Sequence, residues 1–247
     1  MYHAVEENRS VVSIAPAVFA WQMRWLHDNR LRVIPLSELV QRLHRGSPLP
    51  PRALAITFDD GFASVYTRAF PILQQYGFPA TVFLVPAYIG GRNDWPGQPP
   101  SVPPRPLLTW EQVGLMDRQG IEFGAHGLSH ARLDRLSRDQ VERELLVSRA
   151  RIQEHVGHPV NLFAYPYGRY TDEIRRIVGG MYLGACTTRP GLVEPRSDPC
   201  ALERIEAGYV EASFLFRRLF GTMFPHYLVL RRSLRTVAST ILRRPWA

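Results

Sequence analysis

The chain of 247 residues contains no lysine, only two cysteines and no apolar run long enough to cross a bilayer. A membrane-spanning helix needs about 18 or more consecutive apolar residues, so the sequence does not predict one. Hydrophobic residues make up 45% and charged residues 21%, which excludes a disordered or collagen-like chain. At this length we expect one large domain, or one domain with an appendage.

The scarcity of cysteine excludes a further group of functions. Cys186 and Cys200 do not form a CxxC pair, so neither a zinc knuckle nor a redox pair is indicated. We interpret both as buried or half-buried thiols, because free cysteine is among the most buried residue types. A single disulfide between them is the alternative.

Acidic residues are absent from the end of the chain. Residues 212–247 contain seven Arg and no Asp or Glu, and they carry +7 of the formal net charge of +8. Residues 1–211 are therefore almost neutral, and a nearly neutral domain of this kind is not expected to bind nucleic acid. We predict a catalytic domain over 1–211 and a basic helical tail over 212–247.

The tail has the pattern of an amphipathic helix that follows a break at Pro225. Arginines fall mostly to one side of an apolar stripe, and Trp246 lies near the end. This pattern predicts peripheral contact with a membrane surface. The alternatives are a helix packed on the domain with solvated arginines, or a site for an acidic partner or polysaccharide. The stripe is formed by Tyr227, Leu230, Leu234, Val237 and Ile241.

Strands alternate with helices over most of the chain. Short apolar segments typical of buried strands are separated by helical patterns, two of which begin with capping boxes at Thr109 and Ser137. This order predicts an α/β fold with a parallel sheet and helices outside it, and six or seven such units can close into a barrel. The predicted strands include residues 53–58, 80–85, 121–125, 161–165 and 182–187.

Polar residues follow three of the predicted strands. Asp59-Asp60-Gly61 follows the first, His126 ends another with His130 four residues later, and Pro166-Tyr167-Gly168 follows a third. In parallel α/β barrels the chemistry lies at the carboxyl ends of the strands. We therefore expect these groups to meet at one rim.

Two carboxylates and two imidazoles at one rim suggest a metal site. Asp59 and Asp60 would point apart on a regular strand, but a turn at Gly61 allows them to converge. His126 and His130, if they lie on a helical turn, face the same way and can bind one ion. Together with one Asp they leave positions open for water and substrate, as a catalytic zinc ion requires. The alternatives are an ordinary Asp-Asp-Gly turn and two unrelated histidines.

The motifs at residues 57–61, 126–130 and 163–168 resemble, in order and spacing, the first three motifs of the polysaccharide deacetylases. These are metal-dependent carbohydrate esterases with a distorted (β/α) barrel, and the resemblance covers roughly residues 1–210. It implies that Asp59 is the general base and that the backbone N–H of Tyr167 binds the developing oxyanion. It also implies that a divalent metal, Zn²⁺ by preference with Co²⁺ or Ni²⁺ as alternatives, is bound by Asp60, His126 and His130.

Two positions depart from the family pattern. Ala164-Tyr165 occupies the stretch where an Arg usually orients the catalytic Asp, and residues 201–205 lack the usual acid His. The opening Tyr2-His3 resembles the circularly permuted exopolysaccharide and biofilm deacetylases, in which the strand with the acid His comes first. By this resemblance His3 is the general acid, and Arg204 is the candidate for the orienting Arg. The alternatives are a frayed N-terminal His and an ordinary surface Arg.

A sugar groove is expected beside these groups, because aromatic faces stack on pyranose rings. Trp95 lies in the Pro- and Gly-rich loop 86–106, and we predict that it is exposed there. Phe83 and Trp110 are predicted to pack in the core. The predicted substrate-binding residues are Trp95, Tyr88, Leu128 and Pro166.

The function expected from the residues and the resemblance is metal-dependent N-deacetylation of an amino sugar in a polysaccharide or glycolipid, with release of acetate. A metal phosphoesterase and a non-catalytic glycan-binding barrel are the alternatives. The first residues are too few and too acidic for a secretory signal, so a location in the cytoplasm or at the membrane periphery is expected. Tyr2-His3 nevertheless reads like the end of a strand that starts upstream. The sequence does not indicate an oligomeric state.

Overall fold

The structure is a computed structural model that describes residues 1–7 and 10–241. Ten short strands are formed by the described residues. They are β1 (Ala4–Val5), β2 (Ser13–Ile14), β3 (Arg32–Val33), β4 (Ala53–Leu54), β5 (Thr57–Phe58), β6 (Thr81–Leu84), β7 (Glu122–Ala125), β8 (Leu162–Ala164), β9 (Gly184–Pro190) and β10 (Leu202–Arg204).

Helices connect these strands and cover the outside of the sheet. A π-helical turn at Val65–Ala69 leads into α3, and both predicted capping boxes are formed, at Thr109 before α4 and at Ser137 before α5. The helices are α1 (Pro16–Asp28), α2 (Leu36–His44), α3 (Phe70–Tyr76), α4 (Trp110–Asp117), α5 (Arg138–Val156), α6 (Asp172–Met181), α7 (Ser213–Phe216) and α8 (Phe224–Ile241).

Six parallel strands form the central sheet, in the spatial order β10-β9-β8-β7-β6-β5. Spatial neighbours are consecutive in the chain, and helical crossovers connect most of them, which is the arrangement of a (β/α) barrel. The predicted α/β barrel is confirmed. Two minor parallel pairs, β1 with β2 and β3 with β4, lie outside this sheet.

The N-terminal residues bridge the two edges of the sheet. On the β10 side, the Met1 amino group donates to the Ile205 carbonyl at 2.7 Å, and the Ala207 N–H donates to the Met1 carbonyl at 2.8 Å. On the β5 side, the Tyr2 N–H donates to the Thr57 carbonyl at 2.8 Å. The first residues therefore close the barrel between β5, which precedes Asp59, and β10, which contains Arg204.

Apolar side chains from several strands fill the inside of the barrel. Phe83, Leu162, Cys186 and Leu202 pack against Leu36 and Val40 of α2. Both cysteines are free, Cys186 buried and Cys200 half-buried, so the disulfide alternative is wrong. As predicted, Phe83 is a core residue.

The C-terminal segment packs on the outside of the barrel. Its break lies at residues 217–223, and Pro225 is the second residue of α8 rather than the break itself. Phe216 contacts Trp21 and Trp25 edge-on, and Phe224 and Leu228 are buried. None of the helices in the described part of the chain combines the length and the apolar character that crossing a bilayer requires. Arg243, Arg244 and Trp246 of the predicted tail lie outside the described residues.

Candidate metal centre

The two adjacent aspartates lie where the chain leaves β5. Asp60 and Gly61 both have left-handed backbone conformations, with φ of 72° and 71°, and both aspartates are buried. A Cβ at position 61 would approach Leu84 Cδ2 to 2.9 Å, and the left-handed backbone conformation favours glycine there. This turn directs Asp59 and Asp60 to the same rim.

The two histidines lie on a loop after β7 and not on a helical turn, so that part of the prediction is wrong. Gly127 and His130 have φ of 73° and 59°, and these two turns bring the rings together at a centroid distance of 4.8 Å. Left-handed conformations are costly for residues other than glycine and concentrate at functional sites. Among the described residues, five non-glycine residues adopt them, and three of the five, Asp60, His130 and Tyr167, lie at this rim.

Asp60 faces the free ring nitrogens of both histidines. Its Oδ1 is 3.4 Å from His126 Nε2 and 3.3 Å from His130 Nε2. His126 Nδ1 lies 2.8 Å from the Ala164 carbonyl oxygen, which places the proton on Nδ1 and leaves the Nε2 lone pair directed at Asp60. One ligand atom from each of the three residues lies within 4.8 Å of the others.

This donor set fits a divalent cation. Asp60 Oδ1 is buried without a hydrogen-bond partner, a costly arrangement that a bound cation would relieve. Burial alone would raise the pKa of Asp60, but the two facing imidazoles of His126 and His130 hold it far below its usual range. Burial lowers the pKa of His130, which favours the neutral, ligating imidazole. Burial would likewise lower the pKa of His126, but the nearby carboxylates of Asp60 and Asp59 raise it. The site therefore presents two imidazole rings and one anionic carboxylate.

Arg204 holds Asp59 in place from the far edge of the sheet. Its Nη1 and Nη2 lie 2.7 and 2.6 Å from the two carboxylate oxygens of Asp59. Its Nε donates to the Thr187 carbonyl at 2.9 Å, and the side chain is only 8% exposed, so Arg204 is not an ordinary surface residue. Burial would raise the pKa of Asp59, but the Arg204 charge lowers it to about 2.

His3 lies at the same rim on the other side of β5. The Asp59 N–H donates to the Tyr2 carbonyl at 3.0 Å, so the residue before His3 is paired with the residue after β5. Burial would raise the pKa of Asp59 and of Asp60, and His3 is among the neighbours that lower both. His3 Nδ1 is 3.7 Å from Glu206 Oε1, an acidic neighbour that the sequence did not indicate. The N-terminal His is therefore not frayed.

Tyr167 faces the metal centre from the turn after β8. Its φ is 58°, and its ring meets the His130 ring edge-on, with centroids 4.4 Å apart. Burial raises the pKa of Tyr167 to about 12, and the charge of Asp60 acts in the same direction. The hydroxyl therefore stays protonated at neutral pH.

The prediction of an exposed Trp95 is wrong. The indole is 2% exposed and stacks on the His130 ring at a centroid distance of 4.3 Å, with the Tyr88 ring against it edge-on. The loop folds back on itself, since the Asn93 N–H donates to the Arg105 carbonyl at 3.2 Å and the Leu107 N–H to the Gly91 carbonyl at 3.0 Å. Trp95 thus fixes a candidate metal ligand and does not form an open platform for a sugar.

The other predicted substrate-binding residues differ in their exposure. Tyr88 and Leu128 are half-buried, and their segments are joined by the Ala87 N–H, which donates to the Leu128 carbonyl at 3.0 Å. Pro166 is buried and packs close to Gly127. Trp110, predicted to pack in the core, is half-buried and stacks on His155.

Glu144 of α5 supports the histidine loop, and sequence reasoning missed it. Its Oε2 accepts hydrogen bonds from the N–H groups of Leu128 at 2.8 Å and Ser129 at 3.0 Å, and its Oε1 accepts from the Ser129 hydroxyl at 2.6 Å. One carboxylate thereby fixes the backbone between the two histidines. No local sequence signal connects a mid-helix Glu with a loop some fifteen residues earlier.

A cavity of about 520 Å³ lies away from the metal centre. Mainly apolar residues of α2, β10 and the C-terminal segment line it, and Thr57 and Arg204 lie on its inner wall. Asp60, His126 and His130 do not line it, so it is separate from the candidate metal site.

The fold and the site define an α/β-barrel protein with a candidate metal-hydrolase centre at the carboxyl ends of its strands. Residues 46–182 match the model of the polysaccharide deacetylase family, and the chain belongs to that family. The matched residues are more than half of the chain, and they include the aspartate turn and the histidine loop.

Individual relatives agree with this assignment. YxkH of Bacillus subtilis, a protein named for this family, is 28% identical over 207 residues, which are 83% of this chain and 69% of YxkH. The poly-β-1,6-N-acetyl-D-glucosamine N-deacetylase of Escherichia coli K12 is 31% identical over 135 residues, which are 51% of this chain and only 20% of that enzyme. The solved structure of IcaB from Ammonifex degensii superposes with a TM-score of 0.73 at 25% identity, covering 88% of this chain and 92% of that chain.

Proposed function

We propose that this protein is a metal-dependent N-deacetylase that removes acetyl groups from amino sugars of a polysaccharide. The observation that carries the proposal is the pairing of a candidate metal site, Asp60, His126 and His130, with a separate buried carboxylate, Asp59, held by Arg204. A hydrolase of this kind needs both a cation and a base that is not itself a ligand. The E. coli relative is named for this reaction on poly-β-1,6-N-acetyl-D-glucosamine, so we propose the same class of substrate.

The three ligand residues suit zinc best. Two imidazole nitrogens and one carboxylate oxygen form a common catalytic zinc set, and Co²⁺ or Ni²⁺ would bind the same donors. When bound, the ion would polarise the acetyl carbonyl and lower the pKa of a water molecule. Trp95 stacks on the His130 ring, and Glu144 holds the backbone N–H of Ser129 just before His130, so the site is held in place by its surroundings.

Asp59 is proposed to accept the proton of the attacking water. Its pKa of about 2 keeps it ionised at neutral pH, and the two-point contact with Arg204 fixes its orientation. Arg204 also prevents Asp59 from rotating toward the metal ligands, so the two neighbouring aspartates keep different functions. The low pKa makes Asp59 a weak base for bulk water, so the reaction depends on the cation to acidify that water.

The remaining residues complete the proton balance. Hydrolysis breaks the C–N bond, and the leaving amine needs a proton, for which His3 beside Glu206 is the proposed donor. The backbone N–H of Tyr167 is proposed to bind the carbonyl oxygen as it becomes negative. After one turnover Asp59 has gained the proton of the water and His3 has lost one, and exchange with solvent restores both.

Metal content and acetate release together test this proposal. The protein is stripped with a chelator, reloaded with Zn²⁺, Co²⁺ or Ni²⁺, and assayed for acetate from β-1,6-linked and β-1,4-linked N-acetylglucosamine oligomers. We expect one bound ion and acetate release that requires it. His126→Ala should remove the ion, whereas His27→Ala, at an exposed position on α1, should retain it.

Two results would contradict the proposed function. Binding of the oligomers without acetate release by the metal-loaded protein would indicate a glycan-binding barrel. Release of phosphate from a phosphoester, with no acetate from any N-acetylated oligomer, would indicate a metal phosphoesterase.

A further inference from the structure

The C-terminal segment presents large apolar side chains to solvent. Six of them, between positions 214 and 234, are 39–68% exposed, although other residues of the same segment are buried against the barrel. Exposed apolar side chains concentrated in this way usually mark a binding surface. We call this set the apolar face; it consists of Phe214, Phe220, Met223, Val229, Leu230 and Leu234.

Helix α8 is oriented with two of its arginines toward the barrel. Arg231 lies over the Tyr209 ring at 4.7 Å and donates to the Tyr227 hydroxyl at 2.9 Å. Arg232 donates to the Pro190 carbonyl and pairs with Glu203, both at 2.8 Å. The same side of the helix buries Phe224 and Leu228.

This orientation is the reverse of an ordinary surface helix. An amphipathic helix that only covers a barrel buries its apolar stripe and exposes its charges. Here Val229, Leu230 and Leu234 point outward while nearby arginines point inward. Of the predicted stripe, Leu230 and Leu234 face solvent, whereas the Tyr227 hydroxyl donates to the Tyr209 carbonyl at 2.7 Å. The outward side of α8 therefore presents apolar side chains that the barrel does not cover.

Exposed arginines lie beside the apolar face at Phe220 and, in the chain, between Phe214 and Phe220. Arg52 lies over the Phe220 ring at 5.9 Å, and Arg217 lies over the Trp21 ring at 5.6 Å, next to the exposed Arg218. No Asp or Glu occurs in residues 212–247. The partner that fits is apolar in its interior and negatively charged at its surface, which describes a bilayer containing anionic lipids.

A second copy of this chain fits less well. In a two-fold symmetric dimer the same patch meets itself, so Arg52, Arg217 and Arg218 would approach their own counterparts. Like charges brought together in this way oppose association. The charge pattern therefore favours lipid over self-association.

We infer that residues 213–234 form a membrane-docking face, which inserts the apolar face into an anionic bilayer and places Arg52, Arg217 and Arg218 among the lipid phosphates. The inference is independent of the proposed deacetylase activity, because none of its residues lies at the metal centre. Docking would hold the barrel at a surface where a lipid-linked or newly made polysaccharide is presented.

Co-sedimentation of the full chain with vesicles tests the inference. The vesicles contain phosphatidylcholine alone or with about 30% phosphatidylglycerol, at salt concentrations of about 50 mM and 500 mM. We expect binding to the anionic vesicles at low salt, and weakening by about tenfold or more on neutral vesicles or at high salt.

Two variants separate the apolar and the electrostatic contributions. Val229→Ser/Leu230→Ser/Leu234→Ser should abolish binding, while Leu146→Ser/Leu183→Ser, at two exposed leucines elsewhere, should not. Arg217→Gln/Arg218→Gln should weaken binding several-fold, whereas Arg138→Gln/Arg196→Gln, with the same change in charge, should have little effect. Circular dichroism and melting temperature verify folding, since all substituted side chains are exposed.

Three results would overturn the inference. The first is no binding of the full chain to anionic vesicles at low salt. The second is undiminished binding by the serine variant. The third is a dimer, detected by light scattering, that the serine variant abolishes, because the apolar face would then bind a second copy. Acetate release from a soluble oligomer, measured on the same variants, should not change and reports separately on the proposed function.

Discussion

Arg204 and Asp59 are 145 positions apart in the chain and form a buried two-point ion pair, with N–O distances of 2.7 and 2.6 Å. They are adjacent because the N-terminal residues draw the strands β5 and β10 together as they close the barrel. The third motif lacks the Arg that usually orients the catalytic Asp. Arg204, on the last strand β10, contacts Asp59 instead. The ion pair and its location support the proposed orienting function of Arg204.

Arg204→Lys is expected to lower turnover and shift its pH dependence while metal binding persists. Lysine cannot make the two-point contact, so the pKa of Asp59 should rise from about 2 toward its ordinary value of 3.8. The acidic limb of the rate profile should move to higher pH. Arg189→Lys, in a more exposed pair with Glu203, is the matched control and should change neither property.

The same pair makes folding stability dependent on pH. The folded-state pKa of Asp59 is below its unfolded value, so its stabilisation is present above about pH 4 and is lost as the pH falls toward about 2. In Arg204→Lys the folded-state pKa moves toward the unfolded value, so the loss should be smaller and complete at a higher pH, with about 2 kcal/mol less stability at neutral pH. Urea unfolding at several pH values measures both effects, and identical curves for the variant and the parent would contradict the structural importance of the pair.

Asp59→Asn should retain the metal and lose about 10²–10⁴ in rate, because it removes the proposed base and not a proposed ligand. It also leaves Arg204 without its counter-charge, so stability should be measured alongside activity. Metal analysis and acetate release on the same sample separate these effects. Near-normal turnover by a metal-loaded variant would show that another group accepts the proton.

His3→Ala should reduce turnover much more than metal affinity, since His3 is proposed to protonate the leaving amine. The loss should be smaller for a substrate with a good leaving group, such as an aryl acetate, which needs no proton. Equal losses on amide and ester substrates would instead assign His3 a purely structural function.

Glu144→Ala should weaken metal binding, although Glu144 is not expected to touch the ion. Removing its carboxylate leaves the N–H groups of Leu128 and Ser129 without their acceptor and loosens the loop that ends at His130. Mutation of a residue that holds a metal ligand in place without binding the ion typically lowers metal affinity by about 10–100-fold. Glu142→Ala, on the same helix and paired only with Arg138, is the control. Titration with zinc measures the difference, and equal affinities for the two variants would contradict the proposed support.

Local sequence patterns were sufficient for the fold class and for placing the candidate site residues at strand ends. Apolar runs, turn glycines and capping boxes act over a few residues, so Asp59, Asp60, His126 and His130 could be assigned to strand ends before any coordinates were known. The charge split at residue 212 was likewise visible in composition alone. These are the features for which neighbours in sequence are also neighbours in space.

The tertiary structure decided every relationship between distant segments. Closure of the barrel joined Arg204 to Asp59 and placed His3 beside Glu206, and the folded-back loop buried Trp95 against His130. Periodicity showed that α8 has an apolar stripe but not which side faces the barrel, because that choice depends on partners such as Glu203 and Tyr209. The sequence pattern indicates which residues form each helix or strand, whereas the packing of all helices and strands together determines which side chains meet.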